Sequence, residues 1–402
     1  MKMRVLHIFA PNFKQRFGGP IFDWKYAFSH WDDPEVLHLV LDYDRNCPLS
    51  SKEAFDFEVS DSQVLSPRWK RVLWAFTLIK NLFRYRRNYD IVHFHLLWWG
   101  GLLAAAWAKS KGIPTIYQSV LLDSDTPGAI RKQSLGRIKE KLLRTFSVIV
   151  PISEALAEDY YLHGYTKDHV ITLMNSVDTK LFHPSTSLYE KRVLRKKFGL
   201  PLDVLILLFA GSIIQRKGVD ILLKGFIEVS QRFPDLYLLL VGPKNQGENP
   251  SLDESYVNDL HVLIDEKQFE ARVKFTGLIK NRHDMADLYR AADYFVFPSR
   301  KEGLPNVVLE AMASGLPVVV SDIPGLKNVI KDGKNGVIFP SEDINALTTA
   351  LQSLIMNAET RMRFGSCARR YILEAHSFPV WQASLSEIYR SMISATGNDW
   401  TD

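Results

Sequence analysis

Short apolar segments alternate with helical segments along almost all of this 402-residue chain. Most apolar segments run without polar interruptions, which is typical of parallel strands that are covered on both faces. This alternation predicts an α/β fold built from doubly wound parallel sheets. Strands are expected at 4–10, 36–42, 90–95, 114–120 and 147–153 in the first half, and at 204–211, 236–242, 272–277, 294–298 and 317–322 in the second.

The length of the chain favours two domains of similar construction over one. The polar stretch 183–197 is the expected linker, so we predict domains at 1–184 and 185–380. The pattern is helical after Asp343, and we expect the segment 381–402 to pack back on the first domain. Two such domains facing each other would form a ligand cleft at the carboxyl ends of their strands.

The segment SRKEGLPNVVLEAMASGLPVVVSD, residues 299–322, carries the most distinctive motif. It follows an apolar strand, and Pro305 suits the first turn of a helix that runs to about Ser314. The N–H groups of Asn306 and Val307 would then point out of the helix N-terminus, where anions bind. The segment therefore predicts an anion site between a strand and a helix.

Two glutamates bracket this site, with Glu302 in the loop and Glu310 eight positions later in the helix. Most glutamates near helix ends are simply solvated, so the pair alone carries little information. Beside an anion site, however, two carboxylates indicate a ligand that has both phosphate groups and hydroxyl groups.

A second motif, LLFAGSIIQRKGVDILLKGF, places Arg216 and Lys217 in a loop after a strand. Gly218 then precedes a helix. A solvated basic loop is the ordinary alternative for one Arg-Lys pair. Its position at the carboxyl end of a strand favours phosphate binding, because Arg binds phosphate bidentately and Lys binds it as a point charge.

The first half offers weaker signals. Gly18 and Gly19 follow the first strand, but they do not form the GxGxxG dinucleotide fingerprint and are also compatible with a flexible turn. His93 and His95 lie on one face of a strand that ends at His95. Such histidines are often buried core residues, yet a histidine at a strand end can also serve substrate hydroxyl groups.

Two D-x-D triplets, Asp42–Asp44 and Asp123–Asp125, have the pattern of a metal–diphosphate site. We interpret both as acidic loops after strands, because cations for a diphosphate already occur at Arg216 and Lys217. We therefore expect no metal and no cofactor. Cys47 and Cys367 are far apart and indicate no disulfide framework.

The net charge of +5 lies entirely in the N-terminal half. Up to Pro184 there are 24 Lys and Arg residues against 19 Asp and Glu residues, and the rest of the chain has 26 of each. The stretch 66–87 contains seven basic residues and no acidic residue, with aromatic and aliphatic side chains at helical spacing. This stretch is equally compatible with an ordinary amphipathic helix and with a helix that binds anionic lipid.

The motifs of residues 299–322 and 210–220, together with PISEALAEDYYLHGYTKDHVITLMNSVDTKLFHP, resemble the retaining glycosyltransferases of family 4. The resemblance covers nearly the whole chain and is strongest from Pro151 to Pro340. It implies the GT-B fold, in which two Rossmann-like domains face a cleft. It also implies sugar transfer from a UDP- or GDP-sugar to an acceptor hydroxyl, with retention of anomeric configuration.

The resemblance implies a role for each motif residue. Glu310 would bind the donor ribose and Glu302 the donor sugar, while Arg216 and Lys217 would hold the diphosphate. His95 corresponds to the histidine that this family places near the reacting centre. By this comparison Glu302, Lys217 and His95 are the catalytic candidates.

The remaining donor-binding candidates are Leu278 at the nucleobase, Gly19 at the phosphates, and the backbone N–H groups of Asn306 and Val307. The sequence departs from the family at Ser212, where an arginine is common, and we expect Arg216 to supply that charge. The strand that ends near Val120 also lacks the histidine that is usual in the family.

These features predict a cytoplasmic, metal-independent glycosyltransferase that contacts the inner face of the membrane and uses a lipid-linked saccharide as acceptor. Nucleic acid is not expected as a partner, because no recognition motif accompanies the basic stretch. A sugar-nucleotide 2-epimerase of the same architecture is the alternative enzyme. The alternative from another class is a non-catalytic subunit that binds nucleotide-sugars.

Overall fold

The computed structural model describes residues 2–9, 28, 31, 33–42, 47–50, 68–95, 97–121, 124–250 and 252–395, without the side chains of 42, 47–50 and 68–74. The chain forms two compact units. The N-terminal unit contains Met1–Asn175 and Pro379–Asp402, and the C-terminal unit contains Ser176–Phe378. The chain thus leaves the N-terminal unit after Asn175, whereas the sequence predicted a domain boundary after Pro184.

The sheet of the N-terminal unit has six strands in the order β3-β2-β1-β4-β5-β6. All neighbours are parallel except β3, which pairs antiparallel with β2 at the edge. The five strands expected from the sequence are present, and among the described strands of this sheet the short β3 was not predicted. The strands are β1 (Met3–Ile8), β2 (Val36–Asp42), β3 (Cys47–Ser50), β4 (Ile91–Phe94), β5 (Thr115–Ser119) and β6 (Val148–Pro151).

Helices pack against this sheet around one apolar core. Its helices are α1 (Arg68–Arg84), α2 (Trp99–Ser110), α3 (Pro127–Arg131), α4 (Gly136–Leu143), α5 (Glu154–Leu162) and, at the end of the chain, α14 (Phe378–Ser394). α14 is tied to the strand layer by Ser386, whose hydroxyl donates to Asp33 at 2.8 Å, and by Arg390, which forms an ion pair with Asp33 at 2.8 Å. Within the described ranges, no helix is both long and apolar enough to span a bilayer.

The sheet of the C-terminal unit is fully parallel and has the order β12-β11-β10-β7-β8-β9. The side chains of its central strands are almost completely buried, because helices cover both faces. The strands are β7 (Leu205–Ala210), β8 (Leu236–Val241), β9 (Val273–Gly277), β10 (Tyr294–Phe297), β11 (Val318–Ser321) and β12 (Val337–Phe339). Its helices are α6 (Leu188–Lys197), α7 (Val219–Arg232), α8 (Glu254–Lys267), α9 (Arg282–Ala291), α10 (Asn306–Ala313), α11 (Pro324–Lys327), α12 (Ile344–Met356) and α13 (Ala358–Ala375).

The polar stretch 183–197 is not a linker, contrary to the sequence prediction. Most of it forms α6, which Ser187 caps by accepting a hydrogen bond from the Glu190 N–H at 3.1 Å. Arg195 is only 5% exposed and forms an ion pair with Asp293 at 2.6 Å. A buried, paired arginine looks polar in the sequence but belongs to the interior of the unit.

Candidate functional site

Both sheets reverse their strand order beside their first strand, which lies between β2 and β4 in one unit and between β8 and β10 in the other. In open parallel sheets, ligands bind outside the carboxyl ends of the strands at such a switch point. In the C-terminal unit, β7 and β10 flank this point. The loop after β7 carries Arg216 and Lys217, and the loop after β10 carries Glu302. The fold therefore brings Glu302 close to two cations that are 85 and 86 positions earlier in the chain.

Glu302 accepts from three side chains at this point. Its Oε1 atom lies 2.6 Å from Arg216 Nη1, 2.6 Å from Lys217 Nζ and 2.9 Å from Ser299 Oγ. Arg216 also donates to the main-chain oxygen of Lys301 at 2.7 Å. We call Arg216, Lys217 and Glu302 the charged triad.

The two cations of the charged triad differ in exposure. The Lys217 side chain is 13% exposed and its ammonium lies 4.9 Å from the centre of the Phe297 ring, whereas Arg216 is 47% exposed. Burial lowers the pKa of Lys217, and the neighbouring Glu302 partly opposes this effect. The triad thus offers a buried point charge and an accessible guanidinium fork, which suits the recognition of phosphate oxygens.

Gly218 fixes the position of the loop that carries both cations. It adopts φ +70°, and a Cβ atom at this position would lie 2.0 Å from the main-chain oxygen of Pro298. Only glycine permits this approach of the loop to the end of β10. Gly218 is also the N-cap of α7. The loop after β7 is therefore fixed both by the start of α7 and by its close approach to Pro298.

The predicted helix after Glu302 is present as α10, but Pro305 precedes it as the N-cap instead of occupying its first turn. The chain at Pro305 is extended, with ψ 120°, and helical geometry begins at Asn306. The first turn directs the N–H groups of Asn306 and Val307 toward the helix N-terminus, where the macrodipole favours negative charge.

Glu310 is held by a residue that sequence reasoning missed. The hydroxyl of Tyr289 lies 2.9 Å from Glu310 Oε2 and 3.1 Å from the main-chain oxygen of Val307. Tyr289 is fully buried in α9. Nothing in the local sequence signals this contact, because α9 and α10 meet only in the folded unit.

Leu278 follows β9 and is separated from β7 by one strand. Its N–H donates to Glu248 Oε2 at 3.3 Å, and the same oxygen accepts from the N–H of Lys244 at 2.9 Å. Ser212 accepts from Asn249 at 3.4 Å, so the loop after β8 contacts the position where an arginine was expected. Sequence reasoning did not identify Glu248 or its loop.

In the N-terminal unit, β1 and β4 flank the switch point, and His95 directly follows β4. His95 belongs to a buried cluster with His7, His38 and His93. The sequence predicted His93 and His95 as candidates, but not His7 or His38. His7 Nδ1 lies 2.7 Å from His95 Nε2, and His7 Nε2 lies 2.6 Å from His38 Nδ1. Gly18 and Gly19 lie outside the described residues.

Burial lowers the pKa of every histidine in this cluster, and it lowers those of His38 and His93 to about 3. His93 Nδ1 lies 2.7 Å from the Tyr389 hydroxyl of α14. The imidazoles are therefore neutral near pH 7 and act through hydrogen bonds.

Of the four aspartates in the acidic triplets, the structure describes the side chain of Asp125 alone. Asp125 is buried and accepts from the N–H groups of Val120 and Leu121 at 3.1 and 2.9 Å and from Ser124 at 2.6 Å. This carboxylate closes its own loop, as expected for an acidic turn. Asp44, Asp123 and the side chain of Asp42 lie outside the described residues.

Residues 190–371 match the family described as glycosyl transferases group 1, and residues 35–176 match the glycosyl transferase 4-like domain. The chain belongs to the family 4 glycosyltransferases with the GT-B fold. Among curated relatives, the D-inositol 3-phosphate glycosyltransferase of Corynebacterium glutamicum is 27% identical over 77% of this chain and 74% of its own length.

Two solved structures share the fold of this glycosyltransferase. The Anabaena protein HepE, solved in complex with UDP, has a TM-score of 0.75 at 20% identity and covers 97% of this chain and 100% of its own. Sucrose-phosphate synthase from Thermosynechococcus elongatus has a TM-score of 0.72 at 20% identity and covers 98% and 100% of the two chains. The predicted fold class is thereby confirmed.

Proposed function

We propose that this glycosyltransferase moves a sugar from a nucleotide-diphosphate donor to an acceptor hydroxyl. The charged triad beside the N-terminus of α10 is the observation that carries the proposal. Arg216 and Lys217 would bind the diphosphate from one side, and the N–H groups of Asn306 and Val307 would bind it from the other. The Anabaena protein HepE has the same fold and was solved in complex with UDP, which supports a nucleoside diphosphate as ligand.

Donor binding would exchange the partners of the charged triad. Glu302 forms an ion pair with both cations, at 2.6 Å from each. A diphosphate would take over these cations and leave the Glu302 carboxylate to accept hydrogen bonds from the donor sugar. Glu310, oriented by Tyr289, would accept from the ribose, and Leu278 would contact the nucleobase.

The reaction breaks the bond between the anomeric carbon and the phosphate oxygen, and the electron pair stays on the diphosphate. The acceptor oxygen forms the new bond to the anomeric carbon, and its proton passes to a phosphate oxygen. Lys217, Arg216 and the α10 N-terminus stabilise the charge that develops on the leaving group. This arrangement needs no metal ion. Attack from the side of the leaving group would retain the anomeric configuration.

His95 is our candidate for the acceptor side of the reaction, because it directly follows β4 at the switch point of the N-terminal sheet. The acceptor that we propose is a lipid-linked saccharide. α1 supports this choice, because Phe76 and Phe83 are 69% and 70% exposed while Leu78 and Leu82 on its other face are buried. The exposed Lys80 and Arg84 add positive charge to the same helix.

Co-sedimentation with anionic vesicles tests the membrane contact. We expect wild-type protein to bind vesicles of phosphatidylglycerol and phosphatidylcholine at low salt. The double change of Phe76 and Phe83 to Ser should abolish binding. Leu162→Ser is the matched control, since Leu162 is 83% exposed on another helix of the same unit. Equal binding of all three proteins would contradict a role for α1.

A transfer assay tests the reaction. Wild-type protein is incubated with labelled UDP- and GDP-sugars and a membrane lipid extract, with and without EDTA. We expect one donor to label a lipid product, and we expect EDTA to have no effect. Glu310→Ala should remain folded and lose transfer, whereas Glu266→Ala at an exposed position of α8 should retain it. Wild-type turnover by Glu310→Ala would contradict the proposed site.

The same assay separates the alternatives. A 2-epimerase would convert the donor sugar without any acceptor, and the product would remain linked to the nucleotide. A non-catalytic subunit would bind the donor and release no product. Detection of the configuration at the anomeric carbon of the product by NMR spectroscopy decides between retention and inversion.

A further inference from the structure

The carboxylate of Glu248 lies against the main chain at the end of β9. Its Oε2 atom accepts from the N–H of Lys244 at 2.9 Å and from the N–H of Leu278 at 3.3 Å. Gly277 leaves room for the other oxygen, because a Cβ atom at this position would lie 2.7 Å from Glu248 Oε1. The position of the carboxylate is therefore fixed by the main chain of two loops.

The two oxygens of Glu248 differ in what they can still accept. Oε2 already accepts two hydrogen bonds, which is the capacity of its lone pairs. Oε1 has neither a hydrogen-bond partner nor an ion-pair partner among the residues that the structure describes. The side chain is partly exposed, so Oε1 can accept two hydrogen bonds from a ligand.

The distance of Glu248 from the charged triad suits the base of a nucleotide. The sheet order β7-β8-β9 separates the end of β9 from the loop of Lys217 by two strand spacings, about 10 Å. A ribose would span the space between a diphosphate at the triad and a base at β9. The loop that carries Glu248 also contacts the loop after β7, because Asn249 donates to Ser212 at 3.4 Å.

An oxygen with two available lone pairs distinguishes the common nucleobases. Guanine presents two adjacent donors on one edge, the N1–H and the 2-amino group. Uracil presents a single N–H between two carbonyl oxygens, which a carboxylate would repel. Adenine and cytosine each place a bare ring nitrogen beside their amino group. Among these four bases, guanine alone satisfies a carboxylate oxygen with two donors.

We propose that Glu248 selects guanine, and that the donor is therefore a GDP-sugar. This inference rests on the proposed function, which places the nucleobase at Leu278. The N1–H and the 2-amino group of guanine donate to Glu248 Oε1, and both hydrogen bonds are strengthened by the charge of the carboxylate. A polar group placed in this way also rejects bases that lack the matching donors.

Titration calorimetry of wild-type protein with GDP, IDP, UDP and ADP tests the inference without any substitution. IDP differs from GDP only in lacking the 2-amino group. We expect GDP to bind about tenfold more tightly than IDP, because IDP forms one charge-assisted hydrogen bond fewer. UDP and ADP should bind more weakly than IDP, since each also places an acceptor beside the carboxylate.

Glu248→Gln tests the role of the carboxylate at unchanged size. The two main-chain N–H groups still need an acceptor, so the amide oxygen should take the place of Oε2 and the amide nitrogen that of Oε1. A donor then faces the donors of guanine. We expect GDP to bind about 100-fold more weakly, UDP to bind no more weakly than before, and the difference between GDP and IDP to disappear.

Glu254→Gln is the matched control. Glu254 accepts from the N–H of Gln246 in the same loop at 3.1 Å, and its substitution should keep the preference for GDP. A purely structural role of Glu248 would weaken GDP and UDP binding equally in Glu248→Gln.

The outcomes separate the inference from the proposed function. Binding of UDP in preference to GDP, equal binding of GDP and IDP, or an unchanged ratio of GDP to UDP affinity in Glu248→Gln would each overturn the inference and leave the proposed function standing. Binding of none of the four nucleotides by wild-type protein would overturn both.

Discussion

In the charged triad, one carboxylate holds two cationic side chains close together. Glu302 neutralises Arg216 and Lys217, and the lowered pKa of Lys217 shows that burial alone would disfavour its charge. A bound diphosphate would carry more negative charge than the glutamate that it would displace. We therefore expect the proposed site to favour anions with two or more charges over a chloride or a carboxylate.

Tyr289→Phe tests the proposed contact between Glu310 and the ribose of the donor. Without the hydroxyl, Glu310 loses a hydrogen bond of 2.9 Å, and we expect the nucleoside diphosphate to bind about tenfold more weakly. A 2′,3′-dideoxy analogue should bind wild-type protein and Tyr289→Phe equally, because it cannot contact Glu310. Titration calorimetry of both ligands measures this difference. Tyr237→Phe on β8 is the control.

The sequence predicted Glu302, Glu310, Arg216 and Lys217 as one group because each lies at a strand end or a helix start that the local pattern reveals. It did not predict Tyr289, Glu248, His7 or His38. Those residues lie inside helices, strands or loops with no motif of their own. Their partners come close only when strand order and register are known, and neither follows from local pattern.

At the scale of elements, the sequence predicted helices and parallel strands well and edge structure poorly. Apolar runs mark central strands, whereas β3 is short, contains Pro48 and depends on pairing with β2. Proline is tolerated there because the strand lies at the edge. α6 was missed for a different reason, since the ion pair of Arg195 with Asp293 makes a polar segment part of the interior.

Four buried histidines lie on β1, β2 and β4 or directly after β4, and this predicts acid sensitivity. Their folded pKa values are lowered, so between the unfolded value of about 6.5 and the folded value of about 3 the unfolded chain binds more protons. The contribution of these histidines to the free energy of unfolding is present above pH 6.5 and is lost as the pH decreases. Between pH 7 and pH 5, each histidine should lower the free energy of unfolding by on the order of 2 kcal/mol.

Hydrogen exchange with mass spectrometry measures this loss for peptides from β1 and β4. We expect the opening free energy of these strands to fall sharply between pH 7 and pH 5. The fall should be smaller in His38→Phe, and it should be unchanged in His283→Gln, where the histidine is exposed. Opening free energies that do not change between pH 7 and pH 5 would contradict a buried neutral cluster.

At the scale of the whole molecule, two sheets with the same strand order carry different chemistry at equivalent switch points. The C-terminal unit presents cations and a helix N-terminus, which suit a phosphorylated donor. The N-terminal unit presents neutral imidazoles and an exposed amphipathic helix. The excess positive charge of the chain lies within residues 1–184. We therefore propose that the donor binds to the C-terminal unit and the acceptor to the N-terminal unit.

The proposed function requires the charged triad to bind a diphosphate, and titration calorimetry of UDP and GDP tests this most directly. Wild-type protein should bind one of the two, and Lys217→Met should bind it about 10- to 100-fold more weakly, because a charged hydrogen bond is lost. Lys224→Met, at an exposed position of α7, should bind as wild-type protein does. Equal affinity of Lys217→Met and wild-type protein, or no binding of either nucleotide by wild-type protein, would contradict the account.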